Sequence, residues 1–146
     1  MRLTDFNLLL LEDNPARLSA MLRAVREAHL DGRLRVLRDR GDALRHLSHL
    51  LDGPESSRSL AFPSLFLLDL EGDAGLSVLE WLNRQPRLRR MVKVGLFSSS
   101  DGVVTNRAYA LGVNSCLARP ESPDGLLDLF VSIRRYWAAL NHPPEL

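Results

Sequence analysis

Short apolar runs alternate along the chain with segments in which apolar residues recur at helical spacing. Runs that are apolar at nearly every position predict strands covered on both faces, as in a parallel sheet. Arg35 interrupts the second run, which makes it the weakest strand candidate. The predicted strands cover residues 6–11, 34–37, 65–68, 92–97 and 116–118.

An amphipathic segment follows each apolar run. The first begins with Asn14, a residue type that caps helices, and with Pro15, which suits the first helical position. Five strand–helix pairs predict an α/β fold, a parallel sheet with helices on both faces. The predicted helices cover residues 15–28, 43–50, 76–82, 103–111 and 123–140, and a polar loop covers 52–59.

Composition restricts the classes of partner and compartment. The length of 146 residues suits one compact domain, and no long apolar run predicts a signal peptide or membrane span. Nineteen basic and eighteen acidic residues nearly cancel, so we expect neither nucleic acid nor a membrane surface as partner. Cys116 is the single cysteine, which excludes an internal disulfide and favours a reducing cytoplasm.

Polar side chains follow the predicted strands at their carboxyl ends, where open α/β sheets bind ligands. Crowded carboxylates need a cation between them, and hard oxygen ligands suit Mg²⁺. A carboxylate beside Mg²⁺ can attack phosphorus, while a hydroxyl and a basic group hold the other phosphoryl oxygens. The residues at these ends are Glu12, Asp13, Asp69, Ser98, Ser99 and Arg119.

Nearly the whole chain resembles the receiver domains of two-component response regulators. The resemblance implies a flavodoxin-like (βα)5 fold, doubly wound, with five parallel strands in the order 2-1-3-4-5. It is carried by Leu-Leu-Leu-Leu-Glu-Asp-Asn, Leu-Phe-Leu-Leu-Asp-Leu, Val-Gly-Leu-Phe-Ser-Ser-Ser-Asp and Ala-Leu-Gly-Val-Asn-Ser-Cys-Leu-Ala-Arg-Pro.

The resemblance also assigns the acceptor and the metal ligands. It implies that Asp69 is the phosphoacceptor, taking its phosphoryl group from a histidine kinase. Glu12 and Asp13 match the acidic pair that holds Mg²⁺, with Asp69 and the backbone carbonyl of Glu71 as further ligands. Such a protein catalyses only its own phosphorylation and dephosphorylation and is not otherwise an enzyme.

The switch residues of receivers also have counterparts in this chain. By the same likeness, Ser98 is the switch hydroxyl and Ser99 is the small neighbour that controls access to the acceptor. Cys116 stands where many receivers carry an aromatic residue, and by residue type it favours a core position. Arg119 stands at the family's lysine, just before Pro120.

A finer likeness concerns single-domain regulators that are paired with bacterial phytochromes. It rests on the polar loop before the third strand and on the ending with Tyr136, Trp137 and two prolines. We therefore expect one receiver domain over residues 1–146, with a core at about 5–140, a tail at 141–146 and no output domain. Tyr136 and Trp137 either pack on the domain or form a homodimer interface, as two large aromatic residues near a chain end can.

Three departures from the receiver pattern keep two alternatives open. Arginine at 119 is a planar fork where the family has a compact ammonium. The 70–75 loop is about two residues shorter than in most receivers and lacks their proline, and Cys116 lacks an aromatic ring. One alternative is a pseudo-receiver, a binding module that is not phosphorylated. The other is a haloacid dehalogenase-like phosphatase, faintly suggested by Asp69-Leu70-Glu71-Gly72.

Overall fold

Five parallel strands form one sheet in the computed structural model, which describes residues 6–52, 63–98 and 102–140. The order is β2-β1-β3-β4-β5, and all four neighbouring pairs are parallel. This is the predicted doubly wound, flavodoxin-like fold, which is confirmed. The strands are β1 (Leu8–Leu11), β2 (Leu34–Leu37), β3 (Leu65–Asp69), β4 (Lys93–Phe97) and β5 (Ser115–Ala118).

A helix follows each strand. The first begins where predicted, because Oδ1 of Asn14 accepts a hydrogen bond from the N–H of Arg17 at 2.9 Å. The predicted last helix is α-helical as far as Ile133 and continues as a π-helix, Arg134–Leu140. No helix within the described residues is long and apolar enough to cross a membrane. The helices are α1 (Pro15–Glu27), α2 (Arg40–Asp52), α3 (Ala74–Asn83), α4 (Gly102–Ala110) and α5 (Pro123–Ile133).

The core has two layers because alternate residues of each strand face opposite sides of the sheet. In β1, Leu8 and Leu10 pack under α1 and α5, while Leu9 and Leu11 pack under α2, α3 and α4. All four leucines are at most 2% exposed, which explains why the strand is apolar throughout. The two layers leave the carboxyl ends of the strands free for polar groups.

Small differences separate the predicted and observed strand limits. Phe6 is buried in the core but precedes β1, and the carbonyl of Asn7 accepts hydrogen bonds from the N–H groups of Ser64 and Leu65. The polar loop predicted at 52–59 lies outside the described residues, apart from Asp52 at the end of α2. The predicted tail at 141–146 also lies outside them.

Candidate functional site

Two buried carboxylates lie side by side at the carboxyl ends of β1 and β3. Leu11 pairs with Leu68 across these strands, so the next residues, Glu12 and Asp69, become neighbours. The N–H of Glu12 donates to a carbonyl of β2 at 3.1 Å, which holds Glu12 against the sheet. Glu12 is 1% exposed and Asp69 is 4% exposed, whereas Asp13 is exposed. The predicted acidic group is therefore brought together at this edge.

Arg119 holds Asp69 directly. Its Nη1 lies 2.9 Å from Oδ2 of Asp69, and its Nη2 lies 2.9 Å from Oε2 of Glu71. The N–H of Arg119 donates to the carbonyl of Phe97 at 2.7 Å, so the residue continues the pairing of β5 with β4. The planar guanidinium uses its two ends on two different carboxylates, a geometry that a lysine ammonium cannot reproduce.

A second arginine, Arg17 in the first turn of α1, enters the same group of acids. Its Nε lies 3.0 Å from Oε1 of Glu12 and 3.9 Å from Oδ2 of Asp69. Its Nη1 lies 2.9 Å from Oε2 of Glu71, and its Nη2 lies 3.6 Å from Oδ1 of Asp13. One guanidinium thus contacts all four carboxylates.

Burial and charge act in opposite directions on these groups. Burial, followed by the close carboxylate of Glu12, raises the pKa of Asp69 to about 7. The N–H of Glu71, which donates to Oδ1 of Asp69 at 2.8 Å, and the guanidinium of Arg119 oppose that rise. For Arg17, burial lowers the pKa, but the surrounding carboxylates outweigh it and raise the pKa, so this side chain stays charged.

The loop after β3 keeps its backbone close to the acceptor position. Gly72 has a φ of +75°, a backbone conformation that residues with side chains rarely adopt. Glycine at this position therefore lets the chain turn immediately after Glu71. A Cβ on Gly75 would lie 2.2 Å from the carbonyl oxygen of Asp69. The first turn of α3 can therefore approach β3 only because residue 75 is glycine.

The acids suit a hard divalent cation by type. They offer carboxylate oxygens, and Oε2 of Glu12 is the only buried side-chain nitrogen or oxygen among the described residues without a hydrogen-bond partner. In those residues, however, no three His, Cys, Asp or Glu side chains stand in an arrangement that could hold a metal ion. The cations that contact these carboxylates are the guanidinium groups of Arg17 and Arg119.

Comparisons with known proteins relate this geometry to a family. No protein-family model matches the chain. The probable methanogenesis regulatory protein FilR2 of Methanothrix harundinacea is 37% identical over 141 residues, covering 95% of this chain and 88% of that protein. The bacteriophytochrome response regulator AtBRR is 32% identical and superposes with a TM-score of 0.66. The aligned part covers 94% of this chain and 98% of AtBRR.

The chain belongs to the response regulator receiver family. The Mn²⁺-bound form of the response regulator Rcp1 is 26% identical, with a TM-score of 0.72 over 95% of this chain and 99% of that one. Binding of a divalent metal therefore occurs among receivers similar to this one. These relatives are signalling proteins, so this receiver is a signalling protein too, and they give no support to a dehalogenase-like phosphatase.

Two of the predicted switch residues, Ser98 and Cys116, lie within the described residues, and they differ in burial and contacts. Ser98 follows β4 directly and is exposed at the same edge as Asp69, while Ser99 lies outside the described residues. Cys116 is half-buried on β5 and packs against the core, in line with its expected core position. Burial raises the pKa of its thiol, although the hydroxyl of Tyr109 opposes this. That hydroxyl accepts a hydrogen bond from the N–H of Cys116 at 3.0 Å.

The two aromatic residues Tyr136 and Trp137 differ in exposure. Trp137 is half-buried and packs against the core layer under α1 and α5. Tyr136 is 54% exposed, and its ring meets that of Trp137 edge to face, with centroids 4.8 Å apart. Only Tyr136 therefore presents much of its surface to solvent.

Sequence reasoning missed two residues of the site, Arg17 and Tyr109. Arg17 stands four residues after Asp13, and residues spaced by four share one face of a helix. That spacing could have drawn attention to Arg17, but it does not indicate contacts to β3. Tyr109 is seven residues before Cys116, on another element, and no spacing rule links the two.

Proposed function

We propose that this receiver accepts a phosphoryl group from a histidine kinase on Asp69, with Mg²⁺ as the cofactor. The observation that carries the proposal is the buried carboxylate at the end of β3, beside a second carboxylate and an arginine fork. A carboxylate oxygen of Asp69 would attack the phosphorus of the phosphohistidine. The phosphorus–nitrogen bond breaks, its electrons go to the imidazole nitrogen, and an acyl phosphate forms.

The positions of the polar groups suggest their roles in that transfer. Oδ1 of Asp69 accepts a hydrogen bond from the N–H of Glu71, and Oδ2 accepts one from Nη1 of Arg119. These two bonds hold the acceptor carboxylate in one orientation. Arg119 and the hydroxyl of Ser98 are the groups at this edge that would hold phosphoryl oxygens. Ser99 would control access beside them, as the resemblance to receivers implies.

The metal would be held by carboxylates of the same edge. Glu12, Asp13 and Asp69, with the backbone carbonyl of Glu71, are the proposed ligands, and the unpartnered Oε2 of Glu12 supports this set. When bound, Mg²⁺ supplies positive charge to the phosphoryl oxygens and to the acids around them. The Mn²⁺-bound relative Rcp1 supports a divalent ion in this role.

The test is phosphorylation with acetyl phosphate or a kinase in the presence of Mg²⁺. Wild type is expected to gain one hydroxylamine-labile phosphate per chain, measured by intact mass, and Asp69→Asn to gain none. Equal labelling of both proteins, or labelling of neither, would contradict the proposal. The second outcome would favour the pseudo-receiver, which the ion pairs of Arg17 with the acids also favour.

The proposed phosphoryl donor is a bacteriophytochrome kinase in the cytoplasm. This part rests on the similarity to AtBRR, which is named as a bacteriophytochrome response regulator. Phosphoryl transfer from a purified bacteriophytochrome kinase should be faster by orders of magnitude than transfer from an unrelated histidine kinase. Equal rates with both kinases would refute this choice of partner.

We further propose a homodimer that uses the exposed ring of Tyr136, with Trp137 supporting it from below. Large aromatic side chains contribute strongly to protein interfaces. Sedimentation equilibrium should give a dimer that Tyr136→Ala weakens. A monomer mass at every concentration, with or without phosphorylation, would refute the dimer.

A further inference from the structure

The position of Arg17 has a consequence for metal binding. Its Nε approaches oxygens of Glu12 and Asp69, and these two carboxylates are also among the proposed ligands of the metal. A Mg²⁺ ion binds carboxylate oxygens at about 2.1 Å. A metal on these oxygens would therefore lie against a positively charged guanidinium, and like charges at that distance repel strongly in a partly buried site.

The charges of the site support a competition between the two cations. Four carboxylates face the two guanidinium groups of Arg17 and Arg119, so an excess of negative charge remains if all the acids are ionised. That excess attracts a divalent ion. Arg17, however, is tied to the chain and is always present at high local concentration, so it balances part of the charge of the acids whenever no metal is bound.

The surroundings of Arg17 give its side chain somewhere to go. Its side chain is 29% exposed, unlike the 9% of Arg119, so solvent reaches it. A cavity of about 270 Å³ adjoins it, lined in part by Ala20, Pro120 and Glu121. Glu121, an acidic residue, and Arg119, a basic one, both line this cavity. A partly exposed side chain beside a cavity has space for a second position.

We propose that Arg17 is a tethered cation that occupies the acidic edge in the metal-free receiver and must swing away before a divalent metal binds. The inference rests on the proposed function only in that the metal uses these carboxylates. It does not require phosphorylation. Arg17 is thereby a residue that sets metal affinity, and through it the fraction of the receiver that is ready to react.

The test compares Mg²⁺ and Mn²⁺ binding to wild type, Arg17→Ala and Arg23→Ala. Arg23 is an exposed arginine on the same helix, so its substitution makes the same change in net charge away from the acids. Calorimetry with Mg²⁺, and the electron spin resonance signal of free Mn²⁺, measure affinity without any phosphoryl donor. Arg17→Ala should bind both ions about tenfold more tightly than wild type, and Arg23→Ala should match wild type.

Two further readouts separate displacement from a general loss of structure. Adding Mg²⁺ to wild type should move the Nε resonance of Arg17 toward the value of a solvated arginine. Mg²⁺ should also raise the melting temperature of Arg17→Ala more than that of wild type, because stabilisation grows with affinity. Arg17→Lys, which keeps the charge but not the fork, should fall between the two.

Each outcome decides between named possibilities. Equal metal affinity in wild type and Arg17→Ala, with an unmoved Arg17 resonance, overturns the inference and leaves the proposed phosphorylation intact. No metal binding to either protein overturns the inference together with the Mg²⁺ part of the proposed function. Tighter binding of Mg²⁺ and Mn²⁺ by Arg17→Ala, with Arg23→Ala equal to wild type, supports the inference even if the phosphorylation test fails.

Discussion

Arg119→Ala tests the ion pairs on which the site depends. The substitution removes a guanidinium that donates to Asp69 and Glu71, both at 2.9 Å. The Asp69 end of this fork is buried, since the Asp69 side chain is 3% exposed, whereas the Glu71 side chain is 31% exposed. The two ends therefore differ in what their loss costs.

The expected loss of stability follows from these exposures. Removing one partner of a buried pair leaves an uncompensated charge, which costs about 3 kcal/mol or more. The exposed Glu71 end adds at most about 1 kcal/mol, because solvent screens it. Arg17 still contacts both acids and absorbs part of the cost. We therefore expect Arg119→Ala to lower the free energy of unfolding by about 3 kcal/mol at pH 8, where Asp69 is ionised.

The stability lost in Arg119→Ala should depend on pH, because Arg119 stabilises the ionised form of Asp69. The pKa of Asp69 is raised from 3.8 to about 7, so below pH 7 the folded protein holds a proton there. The bound proton stabilises the folded protein. This stabilisation is fully present below pH 3.8 and is lost as the pH rises through about 7. Deleting Arg119 should accordingly cost more at pH 8 than at pH 6.

Arg119→Lys, the residue usual in receivers, provides the matched comparison. An ammonium can hold Asp69 but cannot also reach Glu71 as the second end of the fork does. We expect a loss of about 1 kcal/mol, well below that of the alanine variant.

Urea denaturation in the presence of a chelator measures all three proteins. With a slope of about 1.5 kcal/mol per molar, the midpoint of Arg119→Ala should fall by about 2 M. Arg23→Ala serves as the control and should stay within about 0.5 kcal/mol of wild type. Equal midpoints for Arg119→Ala and wild type, or equal losses for alanine and lysine, would refute the role given to the fork.

Three other predictions concern the scaffold. Gly75→Ala should destabilise the receiver by about 2 kcal/mol, because its Cβ would meet the Asp69 carbonyl at 2.2 Å, while Gly32→Ala, with nothing within 4 Å, should be neutral in the same urea assay. Phe130→Ala should cost about 3–5 kcal/mol in calorimetric unfolding, because the ring is fully buried. Burial lowers the pKa of Lys93 below 10.5, so the unfolded chain binds more protons in that window and stability rises with pH there. Lys93→Met should flatten that alkaline slope, and an unchanged slope would contradict the assignment.

The fold could be predicted because its physical signal is local. β1 and β3 are buried on both faces, and a strand in that position needs apolar residues at nearly every position, which appear in the sequence as an apolar run. Even β2, with Arg35 exposed on it, kept the predicted limits. The change to a π-helix after Ile133 has no such local signature, so the last helix was predicted as one continuous element.

The site could be predicted only as far as the strand ends reach. Glu12 and Asp69 meet because their strands are neighbours in register, which the fold alone implies. Arg17 does not stand at a strand end. Its contacts with acids on two separate stretches of chain, after β1 and after β3, depend on how a long side chain turns from α1, and no periodicity encodes that.

Two of the departures from the receiver pattern, Arg119 and the short loop after β3, are physically linked through Glu71. The short loop after β3 brings in the side chain of this residue, not only its backbone, and Oε2 of Glu71 accepts from both Arg17 and Arg119 at 2.9 Å. A lysine at 119 that held Asp69 would leave the contact with Glu71 unmade. Without the carboxylate of Glu71, the guanidinium groups of Arg17 and Arg119 would face each other with one negative charge fewer between them. Arginine at 119, the loop that carries Glu71 and Arg17 therefore form one group of ion pairs, and a change at any one of them alters the contacts of the other two.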